Sequence, residues 1–192
     1  MQMPRIALKE WAAAVKALEQ GKQMLLMRKG GIAEETRDFQ LQSRYFSLFP
    51  TYEHQKQHLI KEADRHILDA TLEEWPKDES RWPITIVAEA VEDLLIHDAN
   101  ELQKLQDEHI WTESFAEERL RWKKTQPLHV LVLRAHRLRE PIFLPMLEQY
   151  GGCKSWIELA GELPESVETE PVLDDAEFNK RLDRIRRAVG KI

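Results

Sequence analysis

The chain has 192 residues and a mass of 22.6 kDa, with 28 Lys+Arg against 34 Asp+Glu and a formal net charge of −6 at pH 7. Hydrophobic residues make up 42% and charged residues 32%, which suits a globular domain and not a disordered chain. The charge disfavours indiscriminate coating of nucleic acid, the single cysteine excludes a disulfide framework or a Cys-rich zinc site, and no apolar run reaches the roughly 18–20 residues of a membrane span.

The opening MQMPRIALKEW has no signal-peptide core, so a cytoplasmic location is expected. Leu8, Trp11, Ala12, Val15 and Leu18 follow helical spacing, which predicts a helix over 5–20 ended by Gly21. Residues 23–29 read as a strand broken by Gly30-Gly31. Phe39, Leu41 and the run Tyr45–Phe49 predict a bent strand or hairpin ending at Pro50. Thr51 is placed to cap a helix from Tyr52 to about Leu72.

Residues 72–83 read as a loop, and the alternation Ile84, Ile86, Ala88, Ala90 as a strand. Asp98 and Glu101 have capping-box spacing before a helix bearing Leu102, Leu105 and His109, and Thr112 can cap another bearing Phe115 and Trp122. Residues 128–134, LHVLVLR, read as a central strand buried on both faces. After the Gly151-Gly152 turn, Ser155 and Glu158 are spaced as a capping box for a short helix ended by Gly161. A last helix from about Asp174 carries Phe178, Leu182, Ile185 and Val189 on one side, fit to pack on the core or on a protein partner.

This order of elements is that of an α+β domain over 1–160 with a helical insertion at about 92–126. An acidic linker at 161–173 and an amphipathic helix at 174–192 complete the chain. Charge is uneven along it: residues 1–60 carry +3, 61–126 carry −8, 127–160 carry +1 and 161–192 carry −2. The motif-bearing segments are therefore mildly basic, which admits one localised anion site.

Three groups of residues carry candidate chemistry. Lys22 at a turn and Arg28 at the end of the next strand are fit to hold an anion such as phosphate, with Arg134 joining them. Tyr52, Glu53 and His54 are candidate ligand-recognising residues at a predicted helix start. His54, His58 and Glu62 would share one helix face and so form a candidate site for a divalent metal; the alternative is a solvated polar face. Gln55 follows the first His where a zincin has Glu, so a metalloprotease is excluded. Cys153, beside Lys154 and before a predicted helix, is a candidate nucleophile or a small buried residue.

Trp11…Gly21-Lys22-Gln23…Arg28 resembles the opening of PUA-like domains of the ASCH type, which show a Trp-bearing helix followed by Gly-Lys-Lys-Thr-x-Glu-x-Arg. Gly21, Lys22 and Arg28 match; Gln23, Met24 and Leu26 depart at the polar positions that carry amidohydrolase chemistry in some ASCH proteins. The resemblance implies a small mixed or barrel-like sheet wrapped by helices, plus the C-terminal helix. The blocks ALKEW, GKQMLLMRKGGI, FPTYEHQ and YGGCKSW resemble a bacterial family known as a domain of unknown function, whose members are sometimes joined to Mrr-type restriction endonuclease domains. That resemblance implies a DNA or defence setting.

Three functions follow as alternatives. The first is a module binding nucleic acid or a nucleotide, with phosphate held by Lys22, Arg28 and Arg134. The second is a small hydrolase using a metal or the Cys153 thiol, and the third a non-catalytic module that recruits a protein through its last helix.

Overall fold

A computed structural model describes residues 1–29, 39–121, 127–152 and 154–191. Its elements in chain order are β1 (Ile6–Trp11), α1 (Ala12–Glu19), β2 (Leu25–Arg28), β3 (Tyr45–Thr51) and α2 (Arg65–Glu73). There follow β4 (Trp82–Ile96), α3 (Ala99–Gln103), α4 (Glu113–Arg121), β5 (Leu128–Leu144), β6 (Trp156–Glu158), β7 (Thr169–Pro171) and α5 (Asp175–Ala188). The α+β reading holds.

The sheet is mixed. Its strand order is β2-β5-β4-β3-β1-β6, with β7 on β5. Among the described residues only β1 and β3 pair in parallel; the other ladders are antiparallel. β4 and β5 form a long antiparallel ribbon with register shifts at 84/86 and 90/92, and such irregularities bend a ribbon. β2 and β7 lie end to end along the other edge of β5, at 129–132 and 136–138. Just before β7 the chain bonds to the segment before β1: Met3 N–H donates to the Glu165 carbonyl and Val167 N–H to that of Met1. The ladder path is open, but these bonds draw its far ends towards each other.

The buried side chains form two cores. In the larger, Leu8, Phe46, Leu48 and Leu131 meet Leu18 of α1, Ile67 of α2, Phe115 of α4 and Ile185 of α5. The smaller gathers Ala7, Phe49, Trp82, Val87, Tyr150 and Ile157. Residues 128–134 are, as read, an internal strand buried on both sides. The strand at 84–90 is also present, and longer at both ends.

The helix expected over 5–20 divides into β1 and α1. Ala7 and Leu8 pair with β3 on one side and β6 on the other, and this double pairing holds the segment as a strand. The helix expected from Tyr52 is also displaced. β3 runs through Thr51 because it pairs with Trp11 of β1, and the Thr51 hydroxyl donates to the Glu10 carbonyl (3.1 Å) where a helix cap was expected. Ile60 is then fully buried in a bridge to Trp111, so only short 3-10 turns form before α2 starts at Arg65.

The helix expected after Asp98 is capped as read, with Asp98 accepting from the Asn100 and Glu101 amides, but it ends at Gln103. Thr112 accepts from the Phe115 amide at the start of α4 (3.3 Å); Trp122 lies outside the described residues. The helix expected at 155–160 is strand β6, because residues 156–158 pair with β1. Asp174 caps α5, whose Phe178, Leu182 and Ile185 are buried on the larger core. At about 1.5–3 kcal/mol per buried side chain, those three contacts favour the helix's packing on its own domain. No helix among the described residues is long and apolar enough to cross a membrane.

Candidate functional site

The parallel register of β1 and β3 sets Glu10 opposite Pro50 and Trp11 opposite Thr51. This brings the end of β1 beside the turn after β3. A cleft of about 510 Å³ opens there. Its walls come from the end of β1 (Lys9, Glu10, Trp11), the end of β2 (Arg28, Lys29) and the β3 exit (Thr51, Tyr52, Glu53, His54). The turn before β6 adds Gly151, Gly152, Lys154 and Ser155, and the remaining lining residues are Trp82, Met146 and Arg119 of α4.

Arg28 is the organising side chain. Its guanidinium donates to Glu10 Oε2 (3.2 Å), to the Lys9 carbonyl (3.3 Å) and to Ser155 Oγ (2.5 Å), and it lies 5.7 Å from the Phe39 ring centre. Glu10 Oε1 accepts from the Trp11 amide (2.8 Å). One half-buried ion pair therefore ties β1, β2 and the β6 turn together. The hydroxyl of Ser155, expected as a helix cap, serves this network.

The other cations differ in how far they are engaged. Lys9 Nζ donates to the carbonyls of Tyr150 (2.6 Å) and Gly152 (2.8 Å), and Lys29 Nζ donates to that of Leu120. Burial lowers the Lys29 pKa. Arg119 sits over the Phe115 ring at 5.2 Å, and neither it nor Lys154 has a hydrogen bond or ion pair among the described residues. Burial pushes the Arg119 pKa below its ordinary value; Glu10 opposes that shift and Arg28 adds to it.

Tyr52 is buried, stacked on Trp75 (5.8 Å) and edge-on to Trp82 (5.2 Å). Burial, reinforced by Glu74 and Glu19, pushes its hydroxyl up to about 12, so it stays a neutral hydrogen-bonding group. Its ring is held within the protein and forms part of the wall. His54 is almost fully exposed at the rim, with a left-handed backbone (φ 63°) and Nε2 3.9 Å from Glu53 Oε2.

The cleft thus unites Arg28, Tyr52, Glu53 and His54, four of the residues singled out in the sequence. Lys22 and Arg134 are no part of its lining. Lys22 is exposed at the opposite end of β2, and Arg134 bonds to Asp175 and lies 4.8 Å from the Phe178 ring of α5. The metal reading loses its premise: His54 is in a turn and His58 and Glu62 in separate 3-10 turns, with no shared helix face. Among the described residues no group of three or more His, Cys, Asp or Glu is placed to hold a metal. Cys153 lies outside the described residues, although Gly152 and Lys154 line the cleft. The positions departing from the ASCH pattern are core: Met24 and Leu26 are buried, and Gln23 bonds to the Leu25 carbonyl (2.6 Å) and the Ile110 amide (3.2 Å).

Lys9, Glu10, Lys29, Arg119, Lys154 and Ser155 were missed as site residues. Five of them nonetheless lie within the blocks ALKEW, GKQMLLMRKGGI and YGGCKSW. Together with FPTYEHQ, these blocks supply every lining residue except Trp82, Arg119 and Met146. Blocks at opposite ends of the domain, such as those of Lys9 and Tyr150, 141 residues apart, thus converge on one cleft.

The model of the family described as a domain of unknown function, DUF1802, matches residues 7–184. The chain belongs to this family. No curated protein matches it. Among solved structures it is similar to a tyrosine-to-phenylalanine mutant of the ASCH protein of Zymomonas mobilis, at 16% identity and a TM-score of 0.49, covering 93% of this chain and 96% of that one. The crystal structure of ASCH from the same organism gives 16% identity, a TM-score of 0.45 and 93% coverage of each chain.

Proposed function

We propose that this DUF1802 chain is a binding module for nucleic acid or a nucleotide, and that the cleft around Arg28 is where it binds. One observation carries the reading. In a chain of net charge −6, five cationic side chains and two carboxylates among the described residues line a single cleft, beside the aromatic rings of Trp11, Tyr52 and Trp82. Cations and aromatic rings together are what a nucleotide's phosphate and base need. The cations held by carbonyls or by Glu10 build the wall; Arg119 and Lys154 are the two left to meet an anion. His54 and Glu53 at the rim would contact whatever part of the ligand leaves the cleft.

A place in DNA defence rests on the resemblance to endonuclease-linked proteins alone, and a single-stranded DNA arm in the assay addresses it. The test is fluorescence anisotropy with labelled single-stranded RNA and DNA, repeated across salt. Binding should weaken as salt rises, because phosphate contacts release counterions. It should also weaken in Lys154→Glu while the thermal unfolding midpoint holds. No binding, or binding indifferent to salt and to Lys154→Glu, would remove the reading.

A further inference from the structure

We propose that the cleft takes one terminal nucleotide, or a free mononucleotide, by its phosphomonoester, held between Arg119 and Lys154. The inference rests on the binding reading above and narrows it to a ligand class.

Three features point this way. The first is the number of uncommitted charges. Lys9, Arg28 and Lys29 are already bonded to carbonyls, Glu10 or Ser155. Arg119 and Lys154 have no such partners among the described residues. A phosphomonoester carries about −1.5 to −2 at pH 7, whereas an internal phosphodiester carries a single charge. Two open cations fit the former. Arg119 supports this, since a cation disfavoured by burial and by Arg28 gains most from a dianion. Its Cζ lies 5.2 Å from the Phe115 ring centre, a contact that uses none of its N–H groups for an oxygen partner among the described residues.

The second feature is size. About 510 Å³ falls in the range of small-molecule clefts, room for one nucleotide and not for a duplex.

The third is what lies outside. Arg134 is paired with Asp175, and Lys22 is at the other end of β2. A polyanion leaving the cleft meets no basic track formed by these residues. Affinity should therefore depend on the charged end and not on length.

The experiment uses the whole chain and labelled oligouridylates of four and twelve residues bearing a 5′-phosphate, a 3′-phosphate or hydroxyl ends. Unlabelled uridine 5′-monophosphate serves as competitor. The expected result is at least a tenfold preference for a phosphate-ended over a hydroxyl-ended tetramer, little change from four to twelve residues, and competition by the mononucleotide if free nucleotides are the source. Arg119→Ala and Lys154→Ala should each lose about tenfold for the phosphate-ended tetramer and little for the hydroxyl-ended one, the scale of one charge-assisted hydrogen bond. Arg119→Lys should recover part of the loss, and unfolding midpoints confirm that each variant is folded. Equal affinity for both ends, or affinity that climbs with length, overturns this proposal and leaves the binding reading standing. No binding of any probe to the wild-type chain overturns both.

Discussion

Replacing Glu108 by alanine should unfasten the C-terminal helix. The Glu108 side chain is 3% exposed and accepts from Arg181 Nε (2.9 Å) and Nη2 (2.8 Å) and from Arg184 Nε (2.8 Å). Arg181, 9% exposed, also donates to the Gly21 carbonyl (2.6 Å). Removing the carboxylate strands a buried guanidinium, and breaking a buried pair in this way costs about 3–5 kcal/mol. Arg184 is more than half exposed, so its share is small and the lower end of that range applies. About 3 kcal/mol corresponds to a fall of roughly 6–12 °C in Tm for a chain of this length. The assay is thermal and urea unfolding followed by circular dichroism. The double variant Glu108→Leu/Arg181→Met should recover most of the loss, because a buried pair exchanged for apolar groups of similar volume is often neutral. A Glu108→Ala variant within about 0.5 kcal/mol of wild type would refute the clamp.

Burial sets an acid limit on the same region. His109 is held neutral, its pKa pushed down to about 3, chiefly by burial and further by Lys61. The unfolded chain takes up this proton near pH 6.5 and the folded one does not, so stability should fall as pH drops from about 6.5 towards 3, by up to about 1.4 kcal/mol per pH unit. Urea unfolding against pH should show that acid limb flattened in His109→Gln. Gly21 has φ +70°, and a Cβ there would stand 2.9 Å from Leu173 Cδ2, so Gly21→Ala should cost about 1–2 kcal/mol in urea unfolding. Arg28→Met removes the guanidinium that joins Glu10 to Ser155, and should both lower Tm and abolish oligonucleotide binding in anisotropy, unlike Lys154→Glu, which should affect binding alone.

The elements legible in the sequence are those whose signal is local. The Val-rich run at 128–134, the alternation at 84–90 and the caps at Asp98, Thr112 and Asp174 each need only a few neighbours. β1 was not legible because Trp11, Ala12, Val15 and Leu18 keep helical spacing across a strand–helix junction, and Leu8 falls in phase with them by chance. β6 was hidden for a related reason: three residues carry too little pattern, and Ser155-x-x-Glu158 imitates a capping box. The turn after β3 was misread because Ile60 is held by Trp111, a contact formed across fifty residues.

The cleft depends on the same long-range pairings, which explains why four of its residues were legible and the others were not. Arg28, Tyr52, Glu53 and His54 stand out by type. Lys9 and Glu10 look like ordinary surface charges of a helix until β1 is known to be a strand beside β3. Lys154 looks like a residue that activates Cys153 until the β6 turn folds onto Arg28. Arg119 lies in the most acidic segment of the chain, where local charge counting hides it. Net charge by segment therefore misjudges such a site in both directions: it credits Lys22 and Arg134, which point elsewhere, and overlooks the cation that α4 brings in. On the proposed reading, what makes a site for an anion is which cations lack a partner among the described residues, and that follows from how β1, β2, β6 and α4 are brought together and not from composition.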